Sequence, residues 1–146
     1  MTRAPLLRRP VTTALLARLA DPRYPADYGN IPVDARGIPV QTPYLILDPA
    51  GHRYIGGDFG DTHGVVEWGY QVRVVSNATD AVELVADWFT GALFTRDDGG
   101  HYTPPLDIVG QVEWDRKPDP QGFRPGDSTE GIVTLVQRFT IRTQRA

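Results

Sequence analysis

From Val66 to Val74 the even positions are Val66, Trp68, Tyr70, Val72 and Val74, while the odd positions between them are Glu67, Gly69, Gln71 and Arg73. Alternation of this kind puts one face of a strand on a core and the other in water, and it favours an antiparallel sheet covered on one side. The period then changes. Beyond Ser76-Asn77-Ala78-Thr79, residues Val82, Val85, Ala86, Phe89 and Leu93 fall at helical spacing, with Ala81, Leu84 and Trp88 broadening the apolar side. Asp80, Glu83 and Asp87 are left as a narrow polar stripe. Asn77 or Thr79 is expected to cap this helix, and Asp80 and Glu83 set negative charge at the positive end of its dipole. So wide an apolar surface calls for more than one neighbour: its own sheet, and then either a second helix or another subunit.

The rest of the chain supplies weaker signals of the same two kinds. Residues 1–9 hold Arg3, Arg8 and Arg9 without an acid and read as a flexible arm. Pro10 suits the first turn of a helix, in which Val11, Leu15 and Leu19 repeat at four-residue spacing until Asp21-Pro22 stops it. Five prolines make residues 22–43 an extended connection, whose pieces 31–33 and 38–40 suit pairing at a sheet edge. Residues 43–48, PYLILD, read as a short buried strand ended by a turn at Pro49-Ala50-Gly51, and a wide hairpin loop then leads into the long strand.

After the central helix, residues 95–105 read as a polar loop with Gly99-Gly100 at its tip. Leu106, Ile108, Val112 and Trp114 are then expected on one strand face and Asp107, Gln111 and Glu113 on the other. Residues 115–129, DRKPDPQGFRPGDST, read as a long mobile loop, either plainly disordered or ordered when a partner docks. The last strand, residues 131–142, has Val133, Leu135, Phe139 and Ile141 as its apolar face and Thr134, Arg138, Thr140 and Arg142 toward solvent. The expected fold is α+β: one domain over residues 1–146, mainly an antiparallel β-sheet with two helices packed on one face.

Composition narrows the function classes. At 146 residues and 40% apolar content the chain suits one domain with a substantial core. With no cysteine there is no disulfide framework, thiolate metal site or cysteine nucleophile. A formal charge of -3 argues against a dedicated nucleic-acid binder, and fourteen arginines against one lysine fit the codon usage of a GC-rich genome. No apolar run approaches the ~20 residues of a spanning helix, so no membrane partner is expected. The Arg8-Arg9 pair loosely resembles a twin-arginine export signal, but Pro10 and Arg18 interrupt the apolar segment behind it.

Candidate chemistry is sparse. Asp48, His52, Asp58, Asp61 and His63 gather carboxylate and imidazole groups of the type that bind zinc or manganese, yet they meet no zinc or calcium spacing. Asp and Gly in such a segment are turn formers in any case. The two serines, Ser76 and Ser128, lie outside any nucleophile elbow, and the glycines of residues 56–60 fit neither a dinucleotide turn nor a P-loop. Trp68, Tyr70, Trp88 and Trp114 are expected in the core and not as base-stacking platforms. No cofactor, no metal and no enzymatic activity are expected.

The succession of opening helix, proline-rich crossing with Pro39-Val40, the PYLIL strand and then VRVVSNATDAVELVAD at residues 72–87 resembles the tail terminator (tail completion) proteins of long-tailed bacteriophages, especially those of actinobacterial hosts. The likeness covers roughly residues 10–112 and 131–142. It implies a ring, usually of six subunits, at the head-proximal end of the virion tail, which caps the tail tube, stops its polymerisation and presents a surface to the neck. Implied partners are copies of the chain itself, the tail tube protein and a neck or head-completion protein, with DNA passing through the ring without specific binding. Residues expected to contact partners are Arg8, Arg9, Arg96, Arg116, Lys117, Phe123, Arg124 and Asp127. The alternatives are a neck connector or minor tail protein and, more remotely, a small metal-dependent hydrolase.

Overall fold

A computed structural model describes residues 4–56, 64–127, 129 and 131–146. The elements run α1 (Arg8–Arg18), β1 (Ala26–Tyr28), β2 (Tyr44–Gly56), β3 (Val65–Ser76), α2 (Thr79–Phe94), β4 (Gln111–Pro118), β5 (Arg124–Pro125) and β6 (Val133–Arg145). They form one sheet in the order β1-β2-β3-β6-β4, with β5 also on β6. Among the described residues only the β1–β2 pair is parallel. The fold is α+β, as the alternation of periods implies.

β3 is central because both of its edges are occupied. It pairs with β2 on one side and, from Val65 opposite Gln144 to Ser76 opposite Val133, with β6 on the other. Its even residues join Val11, Leu15 and Leu19 of α1, Val82, Val85, Phe89 and Leu93 of α2, and Phe139 and Ile141 of β6 in a single core. Both helices therefore cover the same face. The spare apolar side of α2 is closed from within the chain: Tyr24 packs on Trp88 with ring centroids 5.2 Å apart, and Phe123 packs edge-on to Phe89 at 5.7 Å. Of the positions that broaden this side, Leu84 stays exposed.

Buried polar groups are linked across this core. The Trp68 indole donates to the Thr143 hydroxyl at 2.9 Å, Thr143 donates to the Gln111 side-chain oxygen, and the Gln111 amide donates to the Leu7 carbonyl at 2.8 Å. One chain of bonds thus ties β3, β6, β4 and the start of α1, leaving no member to bear the cost of an unmet buried group.

Several local expectations are corrected. β2 does not end at Pro49-Ala50-Gly51; it passes through a bulge there, with Ala50 and Gly51 facing the single residue Gly69. A Cβ on Gly69 would stand 2.8 Å from the Ala50 carbonyl oxygen, so only glycine fits. The carbonyls freed by the bulge are met by Arg8, whose guanidinium donates to Gly69 at 2.7 Å and to Gly51, and lies 4.9 Å from the Tyr70 ring centroid. The part of the N-terminal arm that is described is therefore tied down: Leu6 is buried and α1 begins at Arg8, before Pro10. α2 is capped by Ala78, with no side-chain cap bond from Asn77 or Thr79.

The phase of β4 is opposite to that expected. Leu106 and Ile108 are buried, but a turn through Val109 and Gly110 (φ 76°) resets the alternation, so Gln111 and Arg116 point inward while Val112 and Trp114 are exposed. The segment read as one long loop carries two strands. β4 continues to Pro118, Asp119 donates to the Arg138 carbonyl at 3.0 Å, a turn follows, and β5 resumes on the same edge of β6 opposite Val136 and Leu135. Prolines and glycines hide this strand because it is an edge, where missing amides and an interruption are tolerated.

Tyr70 provides a pH-sensitive report on the core. It is fully buried, its hydroxyl lies 2.9 Å from that of Thr12, and burial pushes its pKa above the ordinary 10.0. An acid whose folded pKa is raised contributes stability that is present below its unfolded pKa and lost as pH rises through the folded one. Tyr70→Phe is expected to cost about 1 kcal/mol at neutral pH for the lost hydrogen bond, with the gap narrowing above about pH 10. Urea unfolding at pH 8 to 11 checks this, and parallel curves for the two proteins would refute it.

Candidate assembly interface

The side chains expected to meet partners divide into two groups. Arg8 serves the β2 bulge, and Phe123 packs in the aromatic cluster on Phe89. Arg116 is 1% exposed and bonded to Glu113 and to the Leu93 and Pro104 carbonyls. Arg9, Arg96, Lys117, Arg124 and Asp127 are exposed. Of these, Arg96 lies on the Tyr102 ring at 4.5 Å, and Arg124 pairs with Asp119 at 3.3 Å. The structure does not bring the five together: Lys117 is on β4, Arg96 is in the 95–105 segment, and Arg9 sits on α1.

The sheet face away from the helices is polar and largely self-paired, apart from the buried cluster of Tyr44, Ile46 and Val75 under Val40. Arg73 donates to both oxygens of Asp48 at 2.7 and 3.2 Å, and Glu67 lies between Arg142 at 2.7 Å and Arg53 at 3.3 Å. The hydrogen bond from Arg142, followed by that from Arg53, holds the Glu67 carboxyl below its ordinary range despite some burial. These pairs are solvated and contribute little to stability.

Among the described residues, exposed apolar side chains include two local groups, besides Leu7, Tyr54, Ile55, Leu84 and Ile132. The first group lies on a small hairpin in the β1–β2 connection. Val33 and Pro39 are bridged, and Val40 donates to the Pro32 carbonyl at 2.9 Å. The Asp34 carboxylate accepts from the backbone N–H of Arg36 at 2.8 Å and of Ile38 at 3.1 Å, so the turn is held by its own side chain. Pro32 is buried, and Val40 packs on Tyr44, Ile46 and Val75 on the outer sheet face. Ile31, Val33 and Ile38 are left exposed, the last at 54%, with Arg36 exposed at the tip.

The second group is on β4. Val109, Val112 and Trp114 are exposed, Trp114 at 59%. Trp114 is the extra residue of a bulge, since Glu113 opposes Thr143 and Asp115 opposes Arg142. Beside it the 95–105 segment and β4 enclose an open hollow of about 350 Å³ lined by Tyr102, Pro105 and Trp114, with Asp97 and Asp115 among its acidic residues. Asp97 is fixed by accepting from the backbone N–H groups of Gly99 and His101, both at 2.9 Å. Four strand spacings separate the β1 and β4 edges, roughly 20 Å.

No metal or catalytic constellation emerges among the described residues. Asp48 is committed to Arg73, and His52 packs against Trp68 and Tyr54 at 5.3 and 5.4 Å. Asp58, Asp61 and His63 lie outside the described residues, and within those described no group of three His, Asp or Glu is placed to hold a metal. Among the described residues no helix is long and apolar enough to cross a membrane.

The exposed apolar residues are missed in the sequence because Val112 and Trp114 are assigned to a core face, and pieces 31–33 and 38–40 to pairing at a sheet edge, whereas they bridge each other. A usable signal was present: two prolines bracketing Asp-Ala-Arg-Gly, with β-branched residues on either arm, mark a short hairpin too small to bury its own side chains.

No family model matches the chain, and no curated protein does. Among solved structures, a chain of a particle described as the virion of a native gene transfer agent is similar over 89% of this chain and 84% of its own, at 14% sequence identity and a TM-score of 0.47. Overlap at that level carries no inference about function.

Proposed function

We propose that this chain is a phage tail terminator: a non-enzymatic virion subunit that forms a ring on the head-proximal end of the tail tube, ends its polymerisation and joins it to the neck. The sequence resemblance supplies the family. The observation that supports the assembly is that the domain bears two unlike exposed apolar groups, one on the 32–40 hairpin against the outer face of β2 and β3 and one on the edge strand β4. A dimer with a two-fold axis uses one patch twice, whereas two unlike patches suit head-to-tail contact, which closes into a ring when the rotation per subunit divides a full turn. Exposed apolar groups rimmed by charge are a common feature of protein contacts.

Light scattering coupled to size exclusion over a range of concentrations, with electron microscopy of the pure protein, tests this. The expected result is a concentration-dependent closed ring, usually of six, that binds the end of preformed tail tubes and halts their growth. A chain that stays monomeric at all concentrations and leaves tube length unchanged would refute it. Rings that bind neck proteins but never tubes would favour the neck-connector alternative.

A further inference from the structure

We infer that the 32–40 hairpin of one copy inserts into the hollow beside β4 of the next, with Ile38 against Trp114 and Arg36 at the acidic rim. The inference rests on the head-to-tail ring proposed above and names the two surfaces that meet in it.

Two observations select this occupant for the recess of about 350 Å³. The turn is already rigid, since Asp34 holds the Arg36 and Ile38 amides and Pro32 anchors the base, so little ordering entropy is lost on docking. The charges are also complementary. Arg36 is exposed with no side-chain partner among the described residues, and Asp115 likewise has none; Asp97 already meets two backbone N–H groups and His101 at 3.6 Å, and Arg142 and Arg96 lie over the Trp114 and Tyr102 rings, so Asp115 is the rim carboxylate left for Arg36. The apolar groups form the centre, with Ile31, Val33 and Ile38 on one side and Val112 and Trp114 on the other. A desolvated aromatic surrounded by a charged rim is the usual anatomy of an energetically dominant contact.

The hollow itself is held by interior bonds. Arg116 joins the β4 residue Glu113 to the Pro104 carbonyl, fixing the distance between the wall formed by residues 95–105 and the strand. The recess is thereby preformed and does not depend on a partner to shape it.

Two experiments on the full chain test the contact. Arg36→Glu and Asp115→Arg are each expected to raise the concentration at which half the protein is assembled about tenfold or more, and the double variant is expected to recover most of that loss. Because the chain has no cysteine, Ile38→Cys combined with Trp114→Cys supplies a positional readout. Mild oxidation should give a ladder of covalent multimers up to the closed ring, while either single variant should stop at dimers. Circular dichroism and thermal unfolding establish that each variant is folded. If the wild-type chain assembles but charge reversal has no effect and the cysteine pair gives no ladder, the pairing of these two surfaces is wrong and the ring stands. If the wild-type chain never assembles, ring and pairing fall together.

Discussion

Arg116→Ala is expected to lower the free energy of unfolding by about 3–5 kcal/mol, among the largest effects available to one substitution in this chain. The guanidinium has no exposed side-chain surface, and the Glu113 carboxylate that it meets is nearly buried as well. It donates to both oxygens of Glu113, to the Leu93 carbonyl at the C-terminus of α2, and at 2.7 Å to the Pro104 carbonyl. Truncation leaves a nearly buried carboxylate without its counter-charge and the Leu93 carbonyl without its Arg116 donor, while the Pro104 carbonyl keeps its bond from Arg18 at 2.9 Å. The pair itself need not favour folding, because the desolvation of both ions offsets much of their attraction. Arg116→Met with Glu113→Gln should therefore cost much less than the sum of the two single changes. Urea denaturation of the four proteins in this cycle is the measurement. A loss under about 1 kcal/mol for Arg116→Ala would mean that water reaches the site and the bonds are replaceable. Since the same guanidinium spaces the two walls of the β4 hollow, the variant should also assemble poorly at temperatures where it remains folded.

How much could be read beforehand follows from how each element is buried. β3 was legible because it has an occupied neighbour on both edges and a covered face, so its period is enforced along its length. α2 was legible in its buried positions but not in its cap, where Ala78 stands without side-chain help and packing sets the boundary. β4 was misread in phase because Gln111 and Arg116, polar by type, turn inward where specific acceptors wait for them, and Trp114, apolar by type, is pushed out by a bulge. Nothing in the local pattern distinguishes an arginine destined for a carboxylate and two buried carbonyls from one destined for solvent. The same reasoning explains why Arg8 and Phe123 were taken for surface residues: their partners, the Gly69 and Gly51 carbonyls and the Phe89 ring, are distant in sequence. The exposed apolar groups on the 32–40 hairpin and β4 were missed because exposure of an apolar side chain is a property of the finished sheet order.

Phe89→Ala is expected to cost about 3–5 kcal/mol by a different route, through lost transfer energy and an unfilled cavity. Phe89 is fully buried on α2, with its ring centroid 5.7 Å from those of Phe139 and Phe123 and 6.2 Å from that of Phe94. Those neighbours come from β6, from the interruption between β4 and β5, and from the last turn of α2. Collapse into the gap would require three separately anchored elements to move: Phe139 is also stacked on Tyr70 at 5.6 Å, and Phe94 is held edge-on to Tyr102 at 6.0 Å. Phe123 is the least constrained, so the edge strand should loosen first. Hydrogen exchange at the Asp119, Gly122 and Gly126 amides, which close that interruption and the start of the following turn, should speed up more than exchange along β3. Leu84→Ala on the exposed side of the same helix provides the contrast, with a change within about 0.5 kcal/mol. If Phe89→Ala matched that small value, the aromatic cluster would be loosely packed and α2 would be held chiefly by Val82, Val85 and Leu93. If Phe89→Ala has the full cost while rings still form from the folded fraction, core stability and edge-to-edge docking are separate properties of this sheet, as their separate locations require.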